Sequence, residues 1–419
     1  MITIDGSTLE GGGGLVRSVL ALSSILNKSI QIHSIREHRP DGRGLRPGHN
    51  TSVDAIGKLS AASVKGNVPS TSELEFVPHV SMDRLRAPLT SSMDIHLGGS
   101  ASIFLIAVLP YLLFARLGST TFSYNLAFDA DSTFTLTLQA GMLCLSAPSY
   151  FYMRQVYLPV FRSIGITEEN LSFTEDYKQG WQTDDLQVPG RMVVHLKPLS
   201  QPLNGFVLKS RGALQRIHVT AHVPKKFLEQ FKRILQVEIE ASIASEARQR
   251  LEVVIDTIES NAEGQYHLLM TATTSSPTSY LGYEQNYPKP CFPPEIEGNE
   301  QQIAYRLIRS CIRGLWKELS RGSAVDEHME DILAIYQAMA CGFSSVVAGG
   351  NEMPVPEFCL DYAALGPKGA EYDLDIHNIH RETSWWIIQQ LAGVRFEEQK
   401  DNQGRSCHGC IGLGLGHSA

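Results

Sequence analysis

The chain has 419 residues, is 43% hydrophobic and 19% charged, and carries a formal net charge of -8. No run of eighteen or more apolar residues occurs, which excludes an apolar membrane span. The pI of about 6.0 excludes a protein that binds nucleic acid through its overall charge. Seven scattered cysteines, an odd number, indicate a reducing compartment rather than a disulfide framework.

The first eighty residues predict a β-α-β-α-β order. A short strand at MITI and a loop precede an apolar-periodic helix from Leu15, and a strand at QIHSI, a basic loop, a second helix and a strand at SELEFVP follow. A similar order begins at SMDIHL, where LGGSASIFLIAVLPYLLFARLG predicts a glycine turn and a long helix ending at Gly118. Strands near SYNL and TLTLQA and a helix from about Ser149 to Ser163 complete this second round.

A third round is predicted from Gln301 to the end, with two helices, a strand near FCLDYAAL, a helix over HRETSWWIIQQLAG and a strand at VRFEEQ. The interval 202–287 departs from this repeated order of elements. It contains predicted helices at PKKFLEQFKRILQ and IEASIASEARQRLEVVI and a predicted strand at YHLLMTATT. We therefore predict an inserted domain over 202–287 between core segments 1–201 and 288–419. Alternating elements of this kind predict α/β layers.

The segment EGGGGLVRS places four glycines before a predicted helix. Free N–H groups and the positive end of a helix favour an anion there, which Arg17 in the first turn would also contact. Glu10, just ahead of the glycines, is suited to a hydrated magnesium ion. The segment matches neither GxGxxG nor a Walker A motif, so a flexible turn is the alternative.

Two further stretches contain candidate chemistry. In DLDIHNIHRETSWWII, His380 is predicted at the start of the last helix, where the helix N-terminus would keep a nucleophilic imidazole neutral. A helix cap, or a metal pair with His377, are the alternatives. In VDEHMEDIL, His328 and Asp331 share a helix face, with an exposed polar stripe as the alternative. The CHGC at Cys407 lacks the second cysteine pair that a zinc site needs.

The segment IREHRPDGRGLRPGH gathers four arginines and two histidines in a loop with interleaved glycine and proline, which indicates a local anion site. Together these stretches resemble the RNA 3'-terminal phosphate cyclase family. IDGSTLEGGGGLVRSVLALS is similar to the family's IDGS-x-x-EGGGQ-x-LR, and the basic segment to its IR-x-x-R…PGLRPQH. VDEHMEDILAIYQAMA, HRETSWWIIQQLAGVRF and CIGLG resemble its later motifs, so that the likeness covers most of the chain.

This resemblance implies an α/β (α+β) fold of three β-α-β-α-β-β repeats, similar to the C-terminal domain of translation initiation factor 3, with a smaller inserted α/β domain. It also implies ATP-dependent conversion of an RNA 3'-phosphate into a 2',3'-cyclic phosphate through a covalent histidine-AMP intermediate. ATP and Mg²⁺ or Mn²⁺ are the implied cofactors, and an RNA 3' end is the implied partner. An intracellular, nuclear location (nucleoplasm or nucleolus) is expected.

Carried over to this sequence, the family pattern makes His380 the nucleophile and Glu10 the residue nearest the metal ion. The implied nucleotide-binding residues are Gly11, Gly12, Gly13, Arg17, Arg36, Arg39, His49, His328 and Asp331. We expect loss of Arg39 to impair the rate far more than folding.

The sequence departs from the family at four positions, where Gly14, Gly48, Ile106 and Ile332 replace glutamine. These losses keep open an alternative, in which a weak or inactive cyclase-like protein acts with pre-ribosomal RNA and assembly factors. An enolpyruvyl-transferase-like enzyme is a third possibility, but its lysine- and arginine-rich signature is not seen.

Overall fold

The computed structural model describes residues 1–40, 42–79, 92–114, 133–174, 176–182, 187–208, 211–243, 250–287, 298–346, 374–400 and 406–416. The mixed α/β class predicted from the sequence is confirmed. Three four-stranded sheets in this part of the chain share one topology. In each sheet the first two strands are parallel, and the fourth strand pairs antiparallel with both the second and the third. The likeness to translation initiation factor 3 stays a prediction.

The first unit contains one strand more than the sequence predicts. It consists of β1 (Ile2–Asp5), α1 (Gly13–Leu26), β2 (Ile30–His33), α2 (Pro47–Leu59), β3 (Ser63–Lys65) and β4 (Leu74–Val77). The missed strand, β3, has only three residues and takes its place by pairing with β4. Helix α1 buries the stripe of Leu15, Val16, Val19 and Leu20 and ends at Asn27, whose φ of 50 is left-handed.

The second unit repeats this order and adds a small three-stranded sheet. It consists of β5 (Ser92–Ser100), α3 (Ala101–Phe114), β6 (Phe134–Gly141), β7 (Leu143–Cys144), α4 (Tyr150–Tyr152), a π-helical turn (Met153–Tyr157), α5 (Leu158–Ser163), β8 (Leu171–Phe173), β9 (Trp181–Gln182), β10 (Gln187–Val188) and β11 (Gly190–Leu196). The predicted strand near SYNL lies outside the described residues. Helix α3 is apolar nearly all round, as expected of a helix packed on several sides.

The inserted unit follows β12 (Val207–Leu208). It consists of β13 (Leu214–Val223), a 3-10 turn (Lys225–Phe227), α6 (Leu228–Ser242), β14 (Glu252–Glu259), β15 (Tyr266–Thr274), β16 (Tyr280–Tyr287) and α7 (Glu300–Ser320). The helix predicted over IEASIASEARQRLEVVI is wrong at its C-terminal end, because LEVVI contributes to β14. Two valines and an isoleucine favour a strand there, and β14 pairs in parallel with β13.

Helix α7 buries its apolar face against the inserted sheet. Ile303, Leu307, Ile308 and Leu315 belong to the same hydrophobic core as the strands β13, β15 and β16. The sequence predicted a boundary at residue 287, which separates this helix from the sheet that it covers. A helix and a sheet bury their apolar faces together regardless of where the chain pattern changes.

The third unit takes its first strand, β12, from before the insertion. Its other elements are α8 (Glu327–Met339), β17 (Cys341–Val346), α9 (Leu374–Ala392), β18 (Glu397–Lys400) and β19 (Ser406–Leu413). The predicted strand at FCLDYAAL lies outside the described residues. The three similar units share one large core, in which α1 contacts α3 and α9 while α8 contacts α3 and α9. This helix contact brings the start of α1 beside α9.

Buried polar contacts join the inserted unit to the rest. Asp326, at the N-terminus of α8, accepts hydrogen bonds from Tyr152 Oη at 2.6 Å, the Gly282 N–H at 2.8 Å and the Met329 N–H at 3.0 Å. Asp326 is 1% exposed, and its contacts reach three separate elements. An acceptor satisfied in this way fixes the inserted sheet against the helical layer.

Candidate active site

The glycine segment between β1 and α1 is closely covered by side chains. A Cβ added at Gly12 would overlap the Glu10 carboxylate and the Arg39 guanidinium, and one added at Gly13 would overlap the His49 imidazole. Gly11 has a φ of +54, in the left-handed region. The glycines are therefore required for a close approach of charged side chains to the main chain.

Glu10 lies at the centre of this arrangement. Its side chain is 4% exposed. It accepts hydrogen bonds from Arg39 Nη2 and, at 3.1 Å, from the Gly12 N–H. Glu10 Oε1 is 3.8 Å from Nδ1 of His380, whose side chain is 37% exposed. Residues 370 positions apart in the sequence thus meet at one carboxylate, and the histidine keeps an accessible side.

The predicted position of His380 at a helix N-terminus is wrong. Helix α9 begins at Leu374, so His380 lies in its second turn, beyond the free N–H groups of its first turn. The helix dipole therefore does not account for a neutral imidazole at this position, because that effect is confined to the first turn.

Thr383 ties α9 to the glycine segment. Its hydroxyl donates to the Ile379 carbonyl at 2.6 Å and accepts from the Glu10 N–H at 3.1 Å. Thr383 is 2% exposed. The same hydroxyl therefore fixes both the turn of α9 that carries His380 and the backbone of the carboxylate that faces it.

Replacement of Thr383 by valine should preserve shape while removing the acceptor for the Glu10 N–H. Displacement of reacting groups by about 1 Å can cost roughly 100-fold in rate, and we expect a loss of about 10- to 100-fold in the rate of a reaction at His380. The affinity for a ligand of this site should change little. Thr383→Ser keeps the hydroxyl and should restore turnover. A loss in Thr383→Ser equal to that in Thr383→Val would contradict this positioning role.

Arg17 and Asp331 form the adjoining polar end of the site. Asp331 accepts a hydrogen bond from Ser384 Oγ. Burial raises the pKa of Asp331, against the opposing effects of Ser384, His380 and Arg17. Burial lowers the pKa of Arg17, while the charges of Glu10 and Asp331 act to raise it. Within the described part of the chain, no hydrogen bond or ion pair joins Arg17 to another residue.

The basic loop places its residues at different depths. Arg36 is 5% exposed and donates from Nε to the Gly42 carbonyl at 3.3 Å, a contact within the loop. The Arg46 N–H donates to His49 Nδ1 at 3.1 Å, which leaves Nε2 of His49 directed at Gly13. The structure thus brings Arg39 and His49 to the glycine segment. His328 is exposed, and its ring lies 6.1 Å from the ring of Tyr152.

A charged network anchors the other side of α9. Arg381 Nη1 donates to Glu330 at 3.1 Å, and its guanidinium lies over the ring of Trp385. Arg321 contacts both Glu330 and Glu318, the latter at 2.8 Å. Burial, with the nearby charges of Asp326 and Glu327, raises the pKa of Glu318 to about 8. Carboxylates outnumber the arginines that they share, so that a proton on Glu318 relieves their repulsion.

This network predicts a pH dependence of stability. The pKa of Glu318 is higher in the folded protein than the unfolded value of 4.5, so the folded state holds a proton that the unfolded state has lost. Stability contributed by that proton is present below about pH 4.5 and is lost as the pH rises to about 8, by at most roughly 1.4 kcal/mol per pH unit. Urea unfolding at several pH values should show a smaller loss for Glu318→Gln than for the unchanged protein. Equal losses would contradict the raised pKa.

The site fits an anionic ligand. Arg39 Nε is buried and has no hydrogen-bond partner in the described part of the chain, and Arg17 lies beside it without an ion-pair partner there. Two partly exposed guanidinium groups beside the glycine segment match the oxygens of a phosphate chain. These residues are less well suited to direct coordination of a divalent ion. Both Glu10 oxygens already have partners, and the described residues contain no group of three or more metal-ligating side chains.

Several residues of the site were missed at the sequence level. Ser384 and Glu330 carried no motif signal beyond their neighbours, and their partners lie 53 and 51 residues away. Thr383 is not among them, because the sequence shows a hydroxyl three residues after the candidate nucleophile, on the same helix face, where it could bind backbone donors or a phosphate.

The fold and the site together define an α/β protein in which arginine side chains and a glycine segment lie beside a partly exposed histidine. The sequence pattern of the family described as RNA 3'-terminal phosphate cyclase matches residues 8–397, and the chain belongs to this family. No helix in the described residues is long and apolar enough to cross a membrane.

Relatives named RNA 3'-terminal phosphate cyclase cover most of the chain. The protein of Drosophila melanogaster is 26% identical over an alignment of 427 positions, which covers 99% of this chain and 97% of that protein. The protein of Korarchaeum cryptofilum is 28% identical over 94% of this chain and 93% of its own length. The protein of Metallosphaera sedula is 27% identical over 81% of this chain and 87% of its own length.

Proposed function

We propose that this chain is an ATP-dependent RNA 3'-terminal phosphate cyclase that works through a covalent bond between His380 and AMP. The observation that carries the proposal is the position of His380, 3.8 Å from Glu10 and within the electrostatic reach of Asp331. A partly exposed imidazole beside the guanidinium groups of Arg17 and Arg39 is suited to attack on a bound phosphate.

The geometry favours one nitrogen of His380 as the nucleophile. Nδ1 faces the Glu10 carboxylate, which favours a proton on that nitrogen. Nε2 then carries the lone pair and attacks the α-phosphorus of ATP. The new N–P bond replaces the bond to the leaving oxygen, and pyrophosphate departs with that oxygen's electron pair. Glu10 stabilises the positive charge that develops on the ring.

Two transfers complete the proposed reaction. An oxygen of the RNA 3'-phosphate attacks the phosphorus of the histidine-bound AMP, which releases neutral His380. The neighbouring 2'-hydroxyl then attacks the 3'-phosphorus, AMP leaves, and the hydroxyl proton passes to solvent or to a base. The products are the 2',3'-cyclic phosphate, AMP and pyrophosphate.

Arg17 and Arg39 supply charge rather than covalent chemistry. Phosphoryl and nucleotidyl transfer depend on neutralisation of the triphosphate, for which planar guanidinium groups are well shaped. Glu10 would hold a divalent ion through water molecules rather than directly, because its oxygens already bind Arg39 and the Gly12 N–H, and the ion would supply further neutralisation of the triphosphate. Mg²⁺ commonly keeps several waters and few protein ligands.

Incubation of the purified chain with α-labelled ATP and Mg²⁺ or Mn²⁺ tests the proposal. We expect acid-labile, alkali-stable label on the protein, as a phosphoramidate requires. Addition of an RNA with a 3'-phosphate should remove the label and produce a cyclic end, while an RNA with a 3'-hydroxyl should leave it in place. No label under any of these conditions would overturn the enzymatic proposal.

The replaced glutamines favour a second candidate. Ile106 and Ile332 lie on a cleft next to Asp331, where an apolar surface would weaken polar recognition of a nucleotide. A non-catalytic partner of pre-ribosomal RNA and its assembly factors would tolerate this change. Under that function the tagged chain should be nucleolar and should copurify with pre-ribosomal RNA, and His380→Asn should leave both properties unchanged.

A further inference from the structure

The inserted sheet ends in two edge strands, β14 and β16, which differ in how their outer sides are used. On β16, the Tyr280 N–H donates to the Ala324 carbonyl at 3.2 Å, and the Gly282 N–H donates to Asp326 at 2.8 Å. In the part of the chain that the structure describes, residues 252–258 of β14 form backbone hydrogen bonds with β13 alone. The outer side of β14 therefore presents backbone donors and acceptors to a further strand.

Strand β14 carries none of the residues that usually prevent such an edge from pairing. Its sequence, EVVIDTIE, contains no proline and no lysine, and its register with β13 has no bulge. Glu252 accepts two hydrogen bonds of 2.7 Å from Arg216 on β13. Asp256 contacts His218 on the same strand at 2.7 Å. Both carboxylates are therefore held by the neighbouring strand of their own sheet.

An apolar groove of about 440 Å³ lies between β14 and α6. Ile239 of α6 and Ile243 just after it line one side, and Leu251, Val253 and Ile255 line the other. Val253 is 37% exposed, so α6 covers the apolar face of β14 only in part. A strand added to β14 with its own apolar residues on the same face would extend that cover.

We propose that β14 pairs antiparallel with β14 of a second copy of this chain, so that the two inserted sheets form one eight-stranded sheet. Two copies of one strand run antiparallel when a two-fold axis relates them, and a two-fold interface is closed and self-complementary. Each copy then supplies the edge and the apolar face that the other copy leaves open. The proposal is independent of the enzymatic function.

The residue pattern of β14 selects one register for this pair. Odd-numbered residues face α6, so the two apolar faces are continuous only when the numbers of opposed residues add to an even number. With Ile255 opposite Ile255 of the second copy, Val254 lies opposite Asp256. The two neighbouring even registers oppose Asp256 to itself or to Glu252, and like charges directly opposite are destabilising. The register centred on Ile255 is thus the longest even register without opposed carboxylates.

Opposite charges at Val254 test this arrangement in the full chain. Val254→Glu would oppose carboxylates twice in each dimer, whereas Val254→Lys would oppose a cation to Asp256 twice. Small interfaces give weak complexes, so sedimentation of the unchanged chain from about 1 to 100 µM should show a monomer–dimer equilibrium. The Kd of Val254→Glu should exceed that of Val254→Lys by at least about 10-fold. Val207→Glu and Val207→Lys are the matched controls and should have equal Kd, because Val207 is 50% exposed on β12 of another sheet.

A cysteine at the centre of the pair tests the register. Ile255→Cys would place two thiols next to the two-fold axis, where opposed Cβ atoms are about 4.5–5.5 Å apart, close to the separation in a disulfide. Mild oxidation should cross-link this variant in higher yield than the unchanged chain, and Val207→Cys should not exceed that background. Thermal unfolding shows whether each variant folds, and Ile255→Cys decides the matter if Val254→Glu does not.

Three results would each overturn the proposal. The first is a chain that stays monomeric up to about 100 µM, which would leave the edge of β14 to a strand of another protein. The second is an equal Kd for folded Val254→Glu and Val254→Lys. The third is cross-linking of Ile255→Cys no greater than that of the unchanged chain.

Discussion

Replacement of His380 by asparagine should reduce covalent labelling by ATP to background. The side chain is partly exposed, and its described contact is a 3.8 Å approach to Glu10, so the variant should fold with little change in stability. Without the ring nitrogen there is no group at this position to form the N–P bond. The measurement is the amount of acid-labile label per protein, with nucleotide binding followed separately by competition.

A matched variant distinguishes the nucleophile from histidines in general. His218 pairs with Asp256 at 2.7 Å on the inserted sheet, on strands remote in sequence from His380. His218→Asn should retain full labelling. If His380→Asn retained label, or lost nucleotide binding as completely as labelling, the covalent mechanism proposed for His380 would be wrong.

Replacement of Arg17 by methionine should lower the rate of labelling strongly and change the stability of the fold little. Loss of one preorganised charge next to a reacting phosphate costs roughly 100- to 1,000-fold in rate, and we expect that loss in labelling. Stability should change by less than about 0.5 kcal/mol, because burial disfavours the Arg17 charge and offsets the attraction of Glu10 and Asp331. Urea unfolding and initial labelling rates measure the two effects.

Replacement of Arg39 by methionine should, in contrast to Arg17→Met, also lower the stability of the fold. Its guanidinium binds the Glu10 carboxylate, whose side chain is 4% exposed. Removal of Arg39 leaves that carboxylate without its arginine partner and should cost on the order of 1–3 kcal/mol of stability as well as rate. The structure therefore changes the sequence-based expectation that loss of Arg39 affects mainly the rate. Equal destabilisation by Arg17→Met and Arg39→Met would contradict these assignments.

The sequence correctly predicts those elements that are determined by the residues within them. The strand at SELEFVP, the helix after the glycine segment and the helix around residues 149–163 are observed as predicted, because apolar spacing and turn residues determine them. Errors occurred where packing decides the outcome. The segment LEVVI forms a strand through its pairing with β13, and α9 begins at Leu374, ahead of the predicted start.

The sequence by itself determined the residue types that the chemistry requires: a histidine, a carboxylate, arginines and a glycine segment, together with their likeness to one family. Only the tertiary structure decided which of them meet. Glu10 and His380 approach because α1 packs on α9, and Ile106 and Ile332 share a cleft because α3 packs on α8. The physical reason is that helix packing depends on apolar faces buried between distant segments, and no local pattern records which faces will adjoin.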